Sequence, residues 1–182
     1  MVGIDPGLRV TGYGVIRQVD GEVCLVEAGV VEPDPSAPLE QRLRELHESL
    51  SQLLATYSPE VVVIEDLYSQ YAHPRTAILM GHARGVVCLA AAECGAQVVA
   101  YPPALVKRSL TGNGRAPKAQ VARMVAQMLG LARPPSPMDV SDALAIALCH
   151  CTPARQRETA RSRRRRGLPP ALAEKIGLRS EE

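Results

Sequence analysis

The chain has 182 residues, 46% apolar and 22% charged, with five Tyr and neither Phe nor Trp. A chain of that length is one domain's worth and can hide roughly 70% of its extended surface, so a core of Leu, Val, Ile, Ala and Met needs neither disulfides nor a structural metal. The formal charge of +2 hides a split after His150: residues 1–150 carry 12 Lys and Arg against 15 Asp and Glu, a balance of −3, and residues 151–182 carry 9 against 4, a balance of +5.

The division of charge predicts a folded body over 1–151 and a basic, flexible tail over 152–182, densest between Arg155 and Arg166. Such a run is a solvated arm unless the body gives a separate reason to meet a polyanion. The start of the chain lacks the features of a secretory leader. Its longest apolar stretch, from Val86 to Ala100, is interrupted by Glu93 and too short to span a bilayer. A cytoplasmic protein with no membrane contact is expected. Five cysteines, an odd number without CxxC spacing, are expected to be reduced core thiols, and Cys149-His150-Cys151 is too crowded for a zinc loop.

In chain order, Val2 to Asp5, Val10 to Gln18 and Glu22 to Val31 read as strands, the last two joined at Asp20-Gly21, a pair suited to a type I′ turn. Ser36 and Pro38 open a helix with leucines at 39, 43, 46, 50 and 53, and Ser58-Pro59 closes it. Val61 to Ile64 reads as a strand covered on both faces. Pro74 starts a long helix stopped at Gly95, and Gln97 to Tyr101 is another buried strand. Val106 lies in a short helical turn, and Thr111 to Ala116 forms a glycine-rich loop. A helix from Pro117 turns Val121, Met124, Val125, Met128 and Leu129 inward, and a last helix runs from Ser136-Pro137 to Cys149. The order β-β-β-α-β-α-β-α-α predicts an α/β fold: a mixed five-stranded sheet, three antiparallel strands and then parallel βαβ, with helices on both faces.

Four carboxylates stand out. Asp5 and Glu65 each end an apolar strand, where ligand sites of α/β sheets gather. Asp139 and Asp142, three apart at the start of the last helix, share a face. Each has a structural alternative: Asp5 as a turn residue, Asp139 in a capping box, Asp142 at a positive helix end. Glu65 is harder to explain that way, because a charge following four β-branched residues is costly to bury. Four converging acids repel one another unless divalent cations join them. Carboxylates and water suit Mg²⁺ or Mn²⁺, and two such ions clamp the attacking and leaving oxygens of a phosphodiester.

Ile4-Asp5-Pro6-Gly7 with Arg9-Val10-Thr11-Gly12-Tyr13-Gly14, Ile64-Glu65, Gly81 to Gly85, Thr111-Gly112-Asn113-Gly114, Lys118-Ala119-Gln120-Val121 and Asp139 to His150 together resemble the RuvC family of crossover-junction endonucleases. The resemblance implies an RNase H-like fold and a homodimer that resolves Holliday junctions by paired symmetric, Mg²⁺-dependent nicks. It implies RuvA and RuvB as partners, and Asp5, Glu65, Asp139 and Asp142 as catalytic metal ligands, two ions per site. Lys107 and Lys118 match the basic residues beside the scissile phosphate. Where the family often has a Phe that wedges between bases, this chain has Tyr68, whose ring retains a face for stacking. The sequence Ser69 to Pro74 departs from the commoner Lys-Asn-rich pattern.

Arg9, Tyr68, Arg75, Arg84, Lys107, Arg115 and Lys118 flank the expected crevice as candidate DNA contacts. Three other readings compete: a RuvC-like RNA-processing nuclease, an actin-like ATPase or sugar kinase, and a non-catalytic nucleic-acid module. The ATPase requires a second phosphate loop that the sequence lacks, and the non-catalytic module would be expected to have lost at least one acid.

Overall fold

Asp20 and Gly21 both take positive φ, +51° and +89°, as a type I′ turn requires. They fold β2 (Thr11–Val19) back against β3 (Glu22–Val31). The pair carries one irregularity: Val15 faces Glu27 and Ile16 faces Leu25, so Val26 is an extra residue on β3. β1 (Val2–Asp5) lies antiparallel to β2 and parallel to β4 (Val61–Glu65), which is parallel to β5 (Gln97–Tyr101). The sheet order is β3-β2-β1-β4-β5, the mixed sheet expected from the sequence. The computed structural model describes residues 1–66 and 74–152, with side chains throughout except at 74–76. By contacts the chain divides into Met1–Cys151 and Thr152–Glu182.

Strand alternation sorts the core into two layers. Val2, Ile4, Val62 and Ile64 pack against α1 (Leu39–Tyr57) and α2 (Pro74–Glu93). Val61 and Val63 point the other way, onto α3 (Pro103–Thr111), α4 (Lys118–Met128) and α5 (Met138–Cys151). On α1 the buried stripe is Leu46, Leu50 and Leu54, and Leu39 is at the exposed end. The expected stripe holds at Leu43, Leu46, Leu50 and Leu53, all packed in this layer, with Leu54 added and Leu39 left out. α1 is fastened to the hairpin by Glu27, whose carboxylate accepts from Tyr13 Oη at 2.8 Å and from Tyr57 Oη.

Three other expectations change. The turn at Val106 is a nine-residue helix, started by Pro103, whose fixed φ suits a first helical position. Met128 is exposed, and Ala122 and Ala126 take the inward places on α4 beside Val121 and Val125. Of the five free cysteines only Cys149 and Cys151 are buried. Cys24 projects from the edge strand β3, and Cys94 lies just past the end of α2. Among the described residues no helix is long and apolar enough to cross a membrane.

Candidate active site

The parity that buries Val61 and Val63 against α3–α5 also turns Glu65 toward that layer, and on β1 it turns Gly3 and Asp5 the same way. Ile4 pairs with Ile64, so Asp5 and Glu65 each stand one residue beyond that pair, on adjacent parallel strands. Helix α5 supplies the third acid. It lies directly on β1 and β2 because Gly3, Gly12 and Gly14 have no side chains: a Cβ on Gly3 would stand 2.2 Å from the Ala143 carbonyl, and one on Gly12 2.1 Å from that of Asp139. This seat brings Asp142 over the strand ends.

Asp5, Glu65 and Asp142 line one crevice of about 340 Å³ with Lys107 and Lys118, over an apolar floor that includes Val106, Val121 and Ile146. Burial, followed by the charges of Glu65 and Asp142, pushes the Asp5 carboxyl up to about 7; Lys118 opposes this and Asp139 adds to it. Glu65 is raised for the same first reason, burial, and then by Asp142, against Lys118 and Lys107. Lys118 Nζ donates to Asp142 Oδ2 at 2.5 Å, which raises the lysine. Two ammonium groups, Lys107 and Lys118, stand against three carboxylates in this crevice, which leaves room for a further cation.

Asp139 reaches the same strand ends from α5: its backbone lies over Gly12, the β2 partner of Asp5, and its charge adds to the rise of Asp5. It lines an adjoining groove of about 540 Å³ with Arg9, Arg42 and Met80, and Met80 is common to both cavities. Three residues along a helix leave an offset of about 60°, so the two acids of α5 open onto neighbouring cavities that both include Met80 in their linings. Among the described residues no three Asp, Glu, His or Cys side chains already close around a common point. The acids line the crevice walls, and Lys118 holds Asp142.

The candidate cations divide into groups. Lys107 and Lys118 face the crevice and Arg9 faces the groove. Arg115 is on the exposed loop after α3, where its N–H donates to Asn113 Oδ1 at 2.9 Å. Arg84 turns inward: Nη1 donates to the Glu65 carbonyl, and Nη2 lies 3.4 Å from Asp66 Oδ1. Tyr68 and the side chain of Arg75 fall outside the described residues. Sequence reasoning missed Arg42, whose Nη2 donates to the Leu8 carbonyl at 2.6 Å beside Asp139. It also missed the glycine seat, in which Gly3 lies opposite Ala143 and Ala147, Gly12 opposite Asp139 and Gly14 opposite Leu144. A larger cavity of about 600 Å³ lies between β3 and α1. Its wall holds Glu27, Glu32, Glu45 and Glu48 and, among the described residues, no Lys or Arg, so it repels a polyanion.

The sequence profile of crossover junction endodeoxyribonuclease RuvC matches residues 1–150. The chain belongs to the RuvC family. A RuvC of Rhodopirellula baltica is 52% identical over 149 residues, 82% of this chain and 84% of that one. The structure of Thermus thermophilus RuvC in complex with a Holliday junction substrate is 39% identical and superposes with a TM-score of 0.79, covering 86% of this chain and 96% of that one. The yeast mitochondrial Holliday junction resolvase Ydc2, 12% identical with a TM-score of 0.62, covers 82% of this chain and 76% of its own and shares the fold alone. The sheet and its two helical layers are thus the RNase H-like arrangement of this RuvC-family chain.

Membership of the RuvC family implies dependence on a divalent metal, and the donor set fits one. Asp5, Glu65 and Asp142 offer only oxygen, the ligand preferred by hard divalent ions. The Asp5 carboxyl is raised first by burial and then by the charges of Glu65 and Asp142, against Lys118, a setting that a bound cation relieves. Asp139 has no ion pair with Arg9 or Arg42 among the described contacts, which leaves its carboxylate available as a fourth donor.

Proposed function

We propose that this RuvC-family chain resolves four-way DNA junctions by hydrolysing one phosphodiester in each of two like-polarity strands, leaving 5′-phosphate and 3′-hydroxyl ends. The observation that carries the reading is the meeting of Asp5, Glu65 and Asp142 in one crevice with Lys107 and Lys118. Asp5, Glu65, Asp142 and Asp139 would hold two Mg²⁺ ions, with Mn²⁺ able to replace them. When bound, these ions supply activation of a water and neutralisation of the departing 3′ oxygen.

The chain's residues do the rest. Lys107 and Lys118 bind the phosphate whose ester is cut, and Lys118 exchanges Asp142 for that phosphate on a long, mobile stem. The apolar floor under the crevice strengthens these charge interactions by limiting water. Arg9, Arg75 and Arg115 are proposed as phosphate contacts that set the register of the junction, and Tyr68 as the ring that stacks on a base.

Two sites acting on a four-way junction call for two copies of the chain related by a two-fold axis. Helix α2 supports that reading: Ile78 and Leu89 are 61% and 52% exposed, and with His82 and Gly85 they form one outward stripe at helical spacing. Gly85 leaves open space for a neighbouring helix. By family resemblance RuvA and RuvB are proposed as partners and the cytoplasm as the location. Residues 1–151 form the proposed nuclease domain, with 152–182 as a basic appendage.

A substrate panel tests the proposal. With Mg²⁺, the chain is expected to nick four-way junctions in pairs and to leave linear duplex, Y-shaped DNA and structured RNA largely uncut. Preferential cutting of RNA would replace this reading with that of an RNA-processing nuclease.

A further inference from the structure

Arg84 sits in the middle of α2 between residues committed to the core: Ala83 and Val87 are fully buried against the sheet. Its own side chain is only 20% exposed, and both ends of its guanidinium are engaged. Nη1 donates to the backbone carbonyl of Glu65, and Nη2 lies 3.4 Å from Asp66 Oδ1. These acceptors belong to consecutive residues, at the point where β4 leaves the sheet. The N–H of Asp66 in turn donates to the Tyr101 carbonyl at 2.8 Å. The exit of β4 is therefore held from two directions, by β5 through the backbone and by α2 through one arginine.

Arginine's chemistry suits this task. Its planar fork offers several donors in fixed directions and stays charged when half-buried, whereas a lysine presents one small ammonium on a flexible stem. A guanidinium with both terminal nitrogens directed at protein acceptors is poorly placed to serve as a phosphate contact. The contact to Glu65 is made at its carbonyl, so Arg84 acts on where that residue's carboxylate points.

We infer that Arg84 is a positioning residue: by clipping the Glu65 carbonyl and the Asp66 carboxylate to α2, it sets the direction in which the Glu65 side chain enters the crevice. This inference rests on the proposed role of Glu65 as a catalytic carboxylate. Groups that orient metal-ligating carboxylates typically contribute about 10- to 100-fold in metal affinity or activity, and an effect of that size is expected here.

The test uses the full chain and the variants Arg84→Met, Arg84→Lys and Glu65→Gln. Junction affinity and its salt dependence are measured without cleavage in EDTA, single-turnover cutting at saturating enzyme with Mg²⁺, and Mn²⁺ affinity by calorimetry without DNA. Arg84→Met is expected to cut about 10- to 100-fold more slowly and to bind Mn²⁺ more weakly. Its junction affinity is expected to stay within about twofold and its salt slope unchanged; Arg84→Lys should fall between it and the parent. Should Arg84→Met fail to fold, Arg84→Lys carries the same decision through slowed cutting at unaltered junction affinity. Normal single-turnover cutting with weakened junction binding and a salt slope lower by about one would make Arg84 a phosphate contact and overturn the inference. So would a variant that matches the parent in every readout. If Glu65→Gln loses Mn²⁺ affinity and cutting while Arg84→Met keeps both, the positioning role fails alone. If Glu65→Gln cuts normally, the underlying assignment of Glu65 fails with it.

Discussion

Gly12 on β2 lies so close to Asp139 on α5 that a Cβ there would stand 2.1 Å from the Asp139 carbonyl oxygen. Backbone meets backbone at this point, so neither side has a rotamer with which to yield. At Gly14 the nearest atoms are Leu144 Cδ2 at 2.4 Å and Cγ at 2.7 Å, a buried side chain rather than the backbone at the acid-bearing end of α5. Gly12→Ala is therefore expected to lift the acid-bearing end of α5 and slow junction cutting by about tenfold or more, with a stability loss in the range of about 1–3 kcal/mol typical of overpacking. Gly14→Ala should lose less cutting activity. Thermal melts and single-turnover rates check both, and equal effects at the two positions would mean that the seat does not place the site.

The elevated Asp5 carboxyl makes the metal-free protein sensitive to pH in a definite direction. Its ordinary value is 3.8 and its folded value about 7, so between these pH values the folded state binds the extra proton. The unfolding free energy then falls as pH rises from about 4 to about 7 from this group. Melting in EDTA should show that decline, and added Mn²⁺ should stabilise the protein more at pH 8 than at pH 5.5. Because the ligand must lose its proton, Mn²⁺ affinity should rise by about tenfold per pH unit below about 7 and level off above it. An affinity flat from pH 5.5 to 8 would contradict the charge balance drawn for the crevice.

The outward stripe on α2 makes Leu89→Lys a test of assembly. A charge in place of an exposed leucine leaves the chain's own core untouched and places two like charges at a two-fold contact. Sedimentation at micromolar concentration is expected to change from dimer to monomer, and junction products from paired to single nicks. A parent chain that is monomeric with and without junction DNA would dismiss the dimer.

Removing residues 153–182 takes away nine Lys and Arg and four acids. If the appendage contacts phosphates, junction affinity weakens and the slope of log affinity against log salt falls by about 0.9 for each lost contact on duplex. The single-turnover rate at saturating enzyme should be unchanged. An unaltered slope would leave these residues without a part in binding.

The site was readable in the sequence to the extent that it rests on one-dimensional rules. Apolar strands that end in Asp5 and Glu65 fix both acids to one end of the sheet, and alternation puts them on one face. Helical spacing puts Asp139 and Asp142 on one side of α5, and both act on Asp5. The seat of α5 was not legible: Gly3, Gly12 and Gly14 are only strand residues until Ala143, Asp139 and Leu144 of α5 are laid across them. The destination of Arg84 was equally hidden, because an arginine flanking an acidic crevice looks the same in sequence whether it faces solvent or the carbonyl of Glu65. Met128 and Leu39 reached the surface because apolar residues at the margins of a helical stripe are decided by what packs against them.

The most direct measurement is single-turnover cleavage of a four-way junction by Glu65→Gln, with Mg²⁺ and enzyme in excess of the junction dissociation constant, beside binding of the same junction in EDTA. Glutamine keeps the shape of the side chain and removes the charge at the end of β4. The variant should bind the junction as the parent does and cut it slower by well over about a hundredfold, since loss of partners that merely orient metal ligands costs 10- to 100-fold. Cutting at the parental rate would remove the carboxylate crevice from the chemistry.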